Sequence, residues 1–487
     1  MARPFTAVFV ALVLATAACS TSGGSATLRH ERTGTIDWSP CSQVECGSLS
    51  VPLDYQRPNG PHITLTLARL PATGKKIGVL FVNPGGPGAS GVDFLRTAPN
   101  VFPDEVLASF DIVSWDPRGV GSSTPVECVD NLDAFYAVDR DPRTAAAVAQ
   151  NVAASRSLIA ACQEHSRAIL PYLSTENSAR DMDAIRAAMG EAKISYVGYS
   201  YGTLLGALYA DRFPTRVRAM VLDGPVDPAR SYADSTVDQA KSFDRDLDAF
   251  FAYCRSNSAC AFAHGGDPAA AYDDLAATIT QEPIPGTVDG EHRTLGPAEL
   301  DIGVASALYS GADGYRTLAS ALAKAAGGDG AGMLALADGY TGRETGGKYS
   351  NETAVLYATG CIDAPAPPTV AAVQRLADAA AVAAPRFGAT TVWLGLPCTL
   401  WPVPAVGKIA PIHAAGAPPI IVVGALYDPA TPYNWAQGLA SELDTAHLVT
   451  SGGASHTSYR RDSPCIDGTV DAYLLELQVP ASDPRCR

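Results

Sequence analysis

Ser200, Asp428 and His456 are the residues of this sequence whose types could together make a nucleophile. A serine hydroxyl attacks poorly until a neighbouring imidazole takes its proton. The imidazole in turn needs a carboxylate to hold its tautomer and stabilise its charged form. Ser200 is the centre of Gly198-Tyr199-Ser200-Tyr201-Gly202, a G-x-S-x-G pentapeptide. The flanking glycines let the backbone pass close to its neighbours while the serine occupies a strained tip. Asp428 stands in Tyr427-Asp428-Pro429-Ala430-Thr431-Pro432, and His456 closes Gly453-Ala454-Ser455-His456. His447 falls inside an apolar run and reads as structural, whereas His456 lies in a Gly/Ser loop where an imidazole tip has room to move. Asp223, in Asp223-Gly224-Pro225, is the rival acid, although the Gly-Pro after it reads as an ordinary turn. Thr431 before Pro432 reads first as a helix N-cap followed by its N1 proline, and its place three residues after Asp428 leaves a site role open.

A bare G-x-S-x-G is common by chance, and its surroundings give this one weight. Residues 194–197 form a short β-type run, and a small-residue helical pattern, T-L-L-G-A-L-Y-A, follows the pentapeptide. Strand, sharp turn and helix are the context a nucleophile elbow requires. The helix aims its N-terminus at Ser200, so a developing oxyanion meets free N–H groups and the positive end of a dipole. Asp428 and His456 also stand just past predicted strands, at 419–423 and 446–450. Further strands are expected at 63–70, 77–82, 111–115 and 217–222, residues 38–55 read as a cross-linked turn running into an edge strand that tolerates Pro52, and helices are expected at 177–189 and 432–443. Strands alternating with helices predict a mostly parallel sheet covered by helices, with its site at the carboxyl ends of the strands. The loop after 77–82, Asn83-Pro84-Gly85-Gly86-Pro87-Gly88, is placed to complete an oxyanion hole. Tyr201 N–H is the first expected donor and Gly86 N–H the second, with Gly85 next to it.

Composition narrows the classes. The 487 residues are 47% hydrophobic and 17% charged, with a net charge of −15. That charge argues against nucleic acid as a partner, because phosphate binding needs a basic face. Past the N-terminus no segment is apolar enough for long enough to span a bilayer. Residues 1–19 read as a signal peptide: Arg3, an apolar stretch over 5–14, then Ala15-Thr16-Ala17-Ala18-Cys19. Cys19 is the expected lipidation site, although Thr16 stands where Leu is usual; simple cleavage and secretion is the alternative. Residues 20–35, rich in Ser, Gly and Thr, read as a flexible tether. The hydrolytic core is expected over 36–227 and 410–487, interrupted by a helical lid insertion at 228–409 whose sequence is Ala-rich and lacks strand rhythm. Of 11 cysteines, those other than Cys19 are even in number, which suggests disulfides. Pairing sequence neighbours gives Cys41–Cys46, Cys128–Cys162, Cys254–Cys260, Cys361–Cys398 and Cys465–Cys486. With no tight Cys/His cluster, no metal is expected, and no cofactor is implied.

The motifs N-P-G-G-P-G, D-P-R-G-V-G-S-S, G-Y-S-Y-G-T, Y-D-P-A-T-P and G-A-S-H resemble, in order and spacing, those of the secreted tripeptidyl aminopeptidases of actinobacteria and related lipoproteins classed as carboxylesterases. These form part of the prolyl-aminopeptidase-like branch of the α/β-hydrolases. The resemblance runs from about Trp38 to the C-terminus. It implies an α/β-hydrolase fold and a serine peptidase that releases tripeptides from a substrate with a free N-terminus through an acyl-enzyme. Asn83-Pro84 departs from the H-G-G-P-G of the wider group, which turns the expectation away from a single-proline preference. Related enzymes hold the substrate ammonium with acidic lid residues; Glu352 and Asp363 match by type and place. Implied partners are a peptide or protein substrate and, through a lipid anchor, the membrane of the cell envelope. A carboxylesterase acting on lipid or small acyl esters is the alternative, since its catalytic parts would be identical. A non-catalytic envelope binding protein on the same scaffold is the second, and loss of a triad member would be its sign.

Overall fold

Every residue of Phe110–Trp115, Ile194–Tyr199 and Ile420–Ala425 is buried, as are Val79 to Asn83. Apolar runs without alternation are what strands covered on both faces require. In the computed structural model, which describes residues 34–262, 266–461 and 463–486, these runs are the centre of one ten-stranded sheet. The N-terminal signal, Cys19 and most of the 20–35 stretch lie outside the described residues.

The strands are β1 (Ser39–Cys41), β2 (Val44–Pro52), β3 (His62–Leu70), β4 (Gly78–Asn83), β5 (Phe110–Trp115), β6 (Ile194–Tyr199) and β7 (Val217–Asp223). After two hairpins, β8 (Ile284–Val288) with β9 (Glu291–Leu295) and β10 (Arg343–Glu344) with β11 (Lys348–Tyr349), come β12 (Ile420–Ala425), β13 (Ala446–Ser451) and β14 (Arg485–Cys486). The main sheet runs β1-β2-β3-β5-β4-β6-β7-β12-β13-β14. Neighbours from β5 through β14 pair parallel, while β1, β2 and β3 form an antiparallel margin joined to β5. Pro52 lies where β2 has outrun β1 and pairs only with His62, so its missing N–H is harmless.

Successive residues of each central strand face opposite layers. Phe81, Val113, Tyr196, Met220 and Val422 pack with Met182, Ile185, Leu205 and Leu439. Leu80, Ile112, Val197, Val221 and Val423 pack on the other side with Leu95, Val106, Ile466 and Leu474. The sequence therefore folds as an α/β-hydrolase: a mostly parallel sheet with helices on both faces.

Between β7 and β12 the chain leaves this sheet. Helices such as Tyr232–Ser256, Pro297–Leu308, Gly311–Ala326 and Ala331–Thr341 enclose a separate apolar core that includes Phe243, Leu247, Phe250, Val304, Leu318 and Met333, whereas the helix Glu352–Asp363 packs its apolar residues into the core under the main sheet. The stretch also contains the two hairpins, which the Ala-rich composition hides. The first turns at Asp289-Gly290, both at positive φ (49° and 83°), the two-residue turn that Asp-Gly favours. The five sequence-neighbour cysteine pairs are disulfides. Bridges of this number belong to a chain folded in an oxidising compartment, so the protein is exported. Among the described residues no helix is long and apolar enough to cross a membrane.

Candidate active site

The turn from β6 into the helix Tyr201–Arg212 places Ser200 at φ 55°, ψ −125°, a backbone conformation that L-residues adopt only when their surroundings impose it. The imposition is visible at the flanking glycines. A Cβ on Gly198 would lie 2.4 Å from Gly202 O, and one on Gly202 would lie 2.8 Å from Asn83 O. Ser200 N–H donates to Asp223 O at 2.9 Å, and the Thr203 hydroxyl and N–H return to Ser200 O at 2.5 and 2.9 Å.

Asp428 and His456 follow the ends of β12 and β13. His456 Nδ1 is 3.0 Å from both carboxylate oxygens of Asp428. Asp428 is fully buried, and its remaining acceptor capacity is filled. Ala430 N–H and Thr431 N–H each donate to Oδ1 at 2.8 Å, and the Thr431 hydroxyl donates to Oδ2 at 2.9 Å. A buried carboxylate needs this degree of pairing. With Nδ1 turned to Asp428, Nε2 is the ring nitrogen left for proton transfer. Thr431 is not the helix cap expected of it: the helix begins at Tyr433 with Pro432 before it, and the hydroxyl serves the acid instead. Its Oγ1 also lies 3.3 Å from His456 Nδ1.

Asp223 does not meet the imidazole nitrogen. Its carboxylate accepts Ser458 N–H at 2.9 Å and Tyr459 N–H at 2.8 Å, and burial pushes its carboxyl up to about 6.

Around the elbow, Gly85 has φ 103°, and a Cβ there would come within 3.0 Å of Ser200 Cβ and 3.3 Å of Tyr201 N. The N-P-G-G-P-G loop thus lies directly on Ser200. Gly85 N–H is already donated to Asn83 Oδ1 at 3.0 Å. Gly86 N–H has no hydrogen-bond acceptor among the described residues. The next turn is held by Asp116, which accepts Ser90 Oγ–H at 2.6 Å, Val92 N–H at 3.2 Å and Ser122 N–H at 3.0 Å. Arg118 of the same D-P-R-G motif makes a fully buried, two-pronged pair with Asp181 at 2.6 and 2.7 Å.

The structure separates the two acidic candidates. Glu352 begins the helix Glu352–Asp363, and its backbone lies so close to Gly88 that a Cβ there would meet Glu352 O at 2.6 Å. Burial raises its carboxyl above the ordinary value, and among the described residues no cation or hydrogen-bond donor meets that carboxylate. It lies within electrostatic reach of Tyr309 and Tyr340. A cavity of about 1130 Å³ opens along Gly88, Ala89, Ser90 and Glu352, and its lining contains Asp93, Glu127 and Asp130 but no Lys or Arg. Asp363 stands at the far end of the helix, about 16 Å along its axis. Its carboxylate accepts Thr175 N–H at 2.9 Å and the Thr175 hydroxyl, and that hydroxyl is 2.5 Å from Tyr201 OH. Burial pushes the Asp363 carboxyl up to about 6. Its hydrogen bonds brace the core beside the elbow rather than face the Glu352 cavity.

Several contributors come from the stretch between β7 and β12. Tyr309 O accepts His456 N–H at 3.0 Å, and its ring meets the imidazole edge-on at 5.0 Å. Ser242 Oγ–H and an Arg245 N–H donate to Asp428 O at 2.6 and 3.3 Å, and Gln239 Nε2 donates to Ala430 O at 2.7 Å. The spacing of 239, 242 and 245 on one helix was the available sequence signal for a polar stripe. Its target, two backbone carbonyls far along the chain, had none.

A serine elbow, a later aspartate and a last histidine, each at the carboxyl end of a strand in a mostly parallel sheet, define the protein as a serine hydrolase of the α/β-hydrolase class. Comparison with known proteins agrees. Residues 78–264 match the alpha/beta hydrolase fold family and residues 384–486 the TAP-like protein family. The chain is 36% identical to the serine protease Hip1 of Mycobacterium tuberculosis, over 95% of this chain and 93% of that one. It is 38% identical to carboxylesterase B of the same organism, over 92% and 88%, and 34% identical to the tripeptidyl aminopeptidase of Streptomyces lividans, over 95% and 88%. The chain belongs to this family, the TAP-like α/β-hydrolases.

Proposed function

We propose that this protein is an exported aminopeptidase that releases short, tripeptide-length fragments from peptides or proteins with a free N-terminus. Ser200 Oγ attacks the scissile carbonyl while His456 Nε2 takes its proton, and Asp428 orients the imidazole and stabilises its charge. Tyr201 and Gly86 N–H groups hold the oxyanion. His456 returns the proton to the departing amine, and water, deprotonated by His456, then releases the acyl fragment and restores Ser200. The observation that carries the peptidase reading is the Glu352 carboxylate, desolvated and without a cation, on a residue whose backbone packs against the oxyanion loop at Gly88 and which lines the cavity opening beside that loop. A substrate ammonium is the partner it lacks. The relative named tripeptidyl aminopeptidase supports the same reading.

The carboxylesterase alternative has its own support in the relative of that name, and the two share every catalytic part. Chromogenic tripeptide, single-residue and acyl-ester substrates, tested on wild type and Ser200→Ala, separate them: tripeptide turnover that needs Ser200 supports the peptidase, ester turnover alone the esterase. In this reading residues 1–19 are the signal, Cys19 carries the lipid, 20–35 are the tether, and 228–409 roof a core built from 36–227 and 410–487. Radiolabelled palmitate incorporation lost in Cys19→Ser tests the anchor.

A further inference from the structure

We propose that Asp223 is a positioning residue that fixes the nucleophile and the general base relative to each other; the proposal rests on Ser200 and His456 being the reacting pair.

Asp223 ends β7, between the strand that delivers Ser200 and the strand that precedes Asp428. Its main chain and its side chain hold different parts of the site. The carbonyl accepts Ser200 N–H at 2.9 Å. The carboxylate accepts Ser458 N–H at 2.9 and 3.1 Å and Tyr459 N–H at 2.8 Å, the amides that follow His456 and Thr457. The next residue completes the bridge. Gly224, at φ 65°, donates its N–H to Val423 O at 3.0 Å, and a Cβ on it would come within 3.3 Å of His456 Cε1 and 3.2 Å of Thr431 Oγ1. One dipeptide therefore touches the nucleophile's backbone, the imidazole, the imidazole's loop and the hydroxyl that serves Asp428.

The loop needs such a grip. Thr457 and Arg460 both have positive φ, 68° and 66°, and non-glycine residues hold that conformation only where the surroundings over-determine it. The amides Asp223 accepts belong to the residues between them. A carboxylate suits the task because it only accepts: an asparagine would turn an NH₂ group toward backbone N–H donors. The arrangement is costly, since Asp223 has no exposed surface. Burial works against its ionised form, the amides and the His456 ring favour it, and Asp428 opposes it. The buried Tyr199 hydroxyl also faces it, with Arg460, Arg461 and Asp467 beyond.

The experiment uses the full chain with a small neutral ester, a substrate that does not call on Glu352. Asp223→Asn should lower kcat by about 30-fold, as sub-ångström misplacement of a catalytic group does, with KM within about 3-fold and the rate of fluorophosphonate labelling reduced in step. The acid limb carries the distinguishing signature. In the wild type the base must be unprotonated and the ionised Asp223 adds its roughly 30-fold, so log kcat/KM falls with a slope above 1 over the interval in which Asp223 takes up its proton; in Asp223→Asn the slope stays at 1. Asp223→Glu, which keeps the charge but moves it, should lose kcat while retaining the steeper slope, and it serves if Asp223→Asn does not fold. A lowered melting temperature with unchanged kcat, or the same slope in wild type and Asp223→Asn, would overturn the proposal. Activity and labelling that persist in Ser200→Ala would instead overturn the assignment of the reacting pair.

Discussion

Replacing Glu352 by glutamine keeps the side chain's shape and removes its charge. The residue is half-buried at the cavity beside Gly88, and its carboxylate has no cation of its own among the described residues, so a bound ammonium would be its principal electrostatic partner. Truncating one member of a desolvated charge pair costs roughly 2–5 kcal/mol. The partial exposure of Glu352 places it at the lower end, ~2 kcal/mol, or about 30-fold in kcat/KM for a free tripeptide substrate. The assay is a four-corner cycle: free and N-acetylated tripeptide, each against wild type and Glu352→Gln. Acetylation should cost the wild type about as much as the mutation does, and cost the mutant little. The cycle also has a pH signature. Burial raises the Glu352 carboxyl, so the advantage of the free amine should disappear as pH falls through that raised value. It should disappear again above about 8, where an α-amino group loses its proton. A buried carboxylate without a partner is no asset to the fold, so the melting temperature of Glu352→Gln should equal or exceed the wild type's. Equal cleavage of free and acetylated peptide by the wild type would refute the ammonium-anchor reasoning, as would an equal loss on both substrates in the mutant.

Three further outcomes are expected. Ser200→Ala and His456→Ala should each lower kcat by about 10³-fold or more, with little further loss in the double variant, because the residues act as a unit; steady-state kinetics and fluorophosphonate labelling check this. Asp246 is fully buried with neither carboxylate oxygen hydrogen-bonded, and burial pushes its carboxyl up to about 8. The folded state therefore holds that proton where the unfolded chain does not, and stability falls as pH rises from about 4 to about 8, by up to about 1.4 kcal/mol per pH unit; Asp246→Asn should raise the melting temperature at pH 8 and leave it nearly unchanged at pH 4. Cys465→Ser opens a bridge spanning 21 residues and should cost about 3 kcal/mol, read by denaturant titration, while non-reducing peptide mapping should find each cysteine pair of the described residues intact.

The central strands and the elbow were legible because their causes are local. A strand covered on both faces is apolar along its length, and a serine at positive φ in this turn needs glycines two residues to either side; 420–425 and 198–202 display those requirements directly. What was not legible depends on partners far along the chain. Asp223 and Asp428 are both aspartates at strand ends, and only the fold decides that one meets His456 and the other meets Ser458, 235 residues away. Asp363 and Glu352 are acids on one helix, and nothing near Asp363 announces that Thr175, 188 residues earlier, will occupy its oxygens. Thr431 was readable as a cap because Thr-Pro is a cap pattern; the hydroxyl's other choice existed only once Asp428 had been folded back upon it.

The junction between the helical stretch and the triad loops has an evolutionary consequence. Apart from the His456 ring against Tyr309, the hydrogen bonds the loops make across it use main chain: Asp428 O and Ala430 O accept, and His456 N–H donates to Tyr309 O. Peptide groups do not change when side chains do. The loop side of this seam can therefore change side chains without losing its acceptors, while Gln239, Ser242 and Arg245, which donate through side chains, are the positions where a substitution removes a bond. Side chains away from the seam can then be exchanged while the loop acceptors keep their places, because every residue supplies a carbonyl.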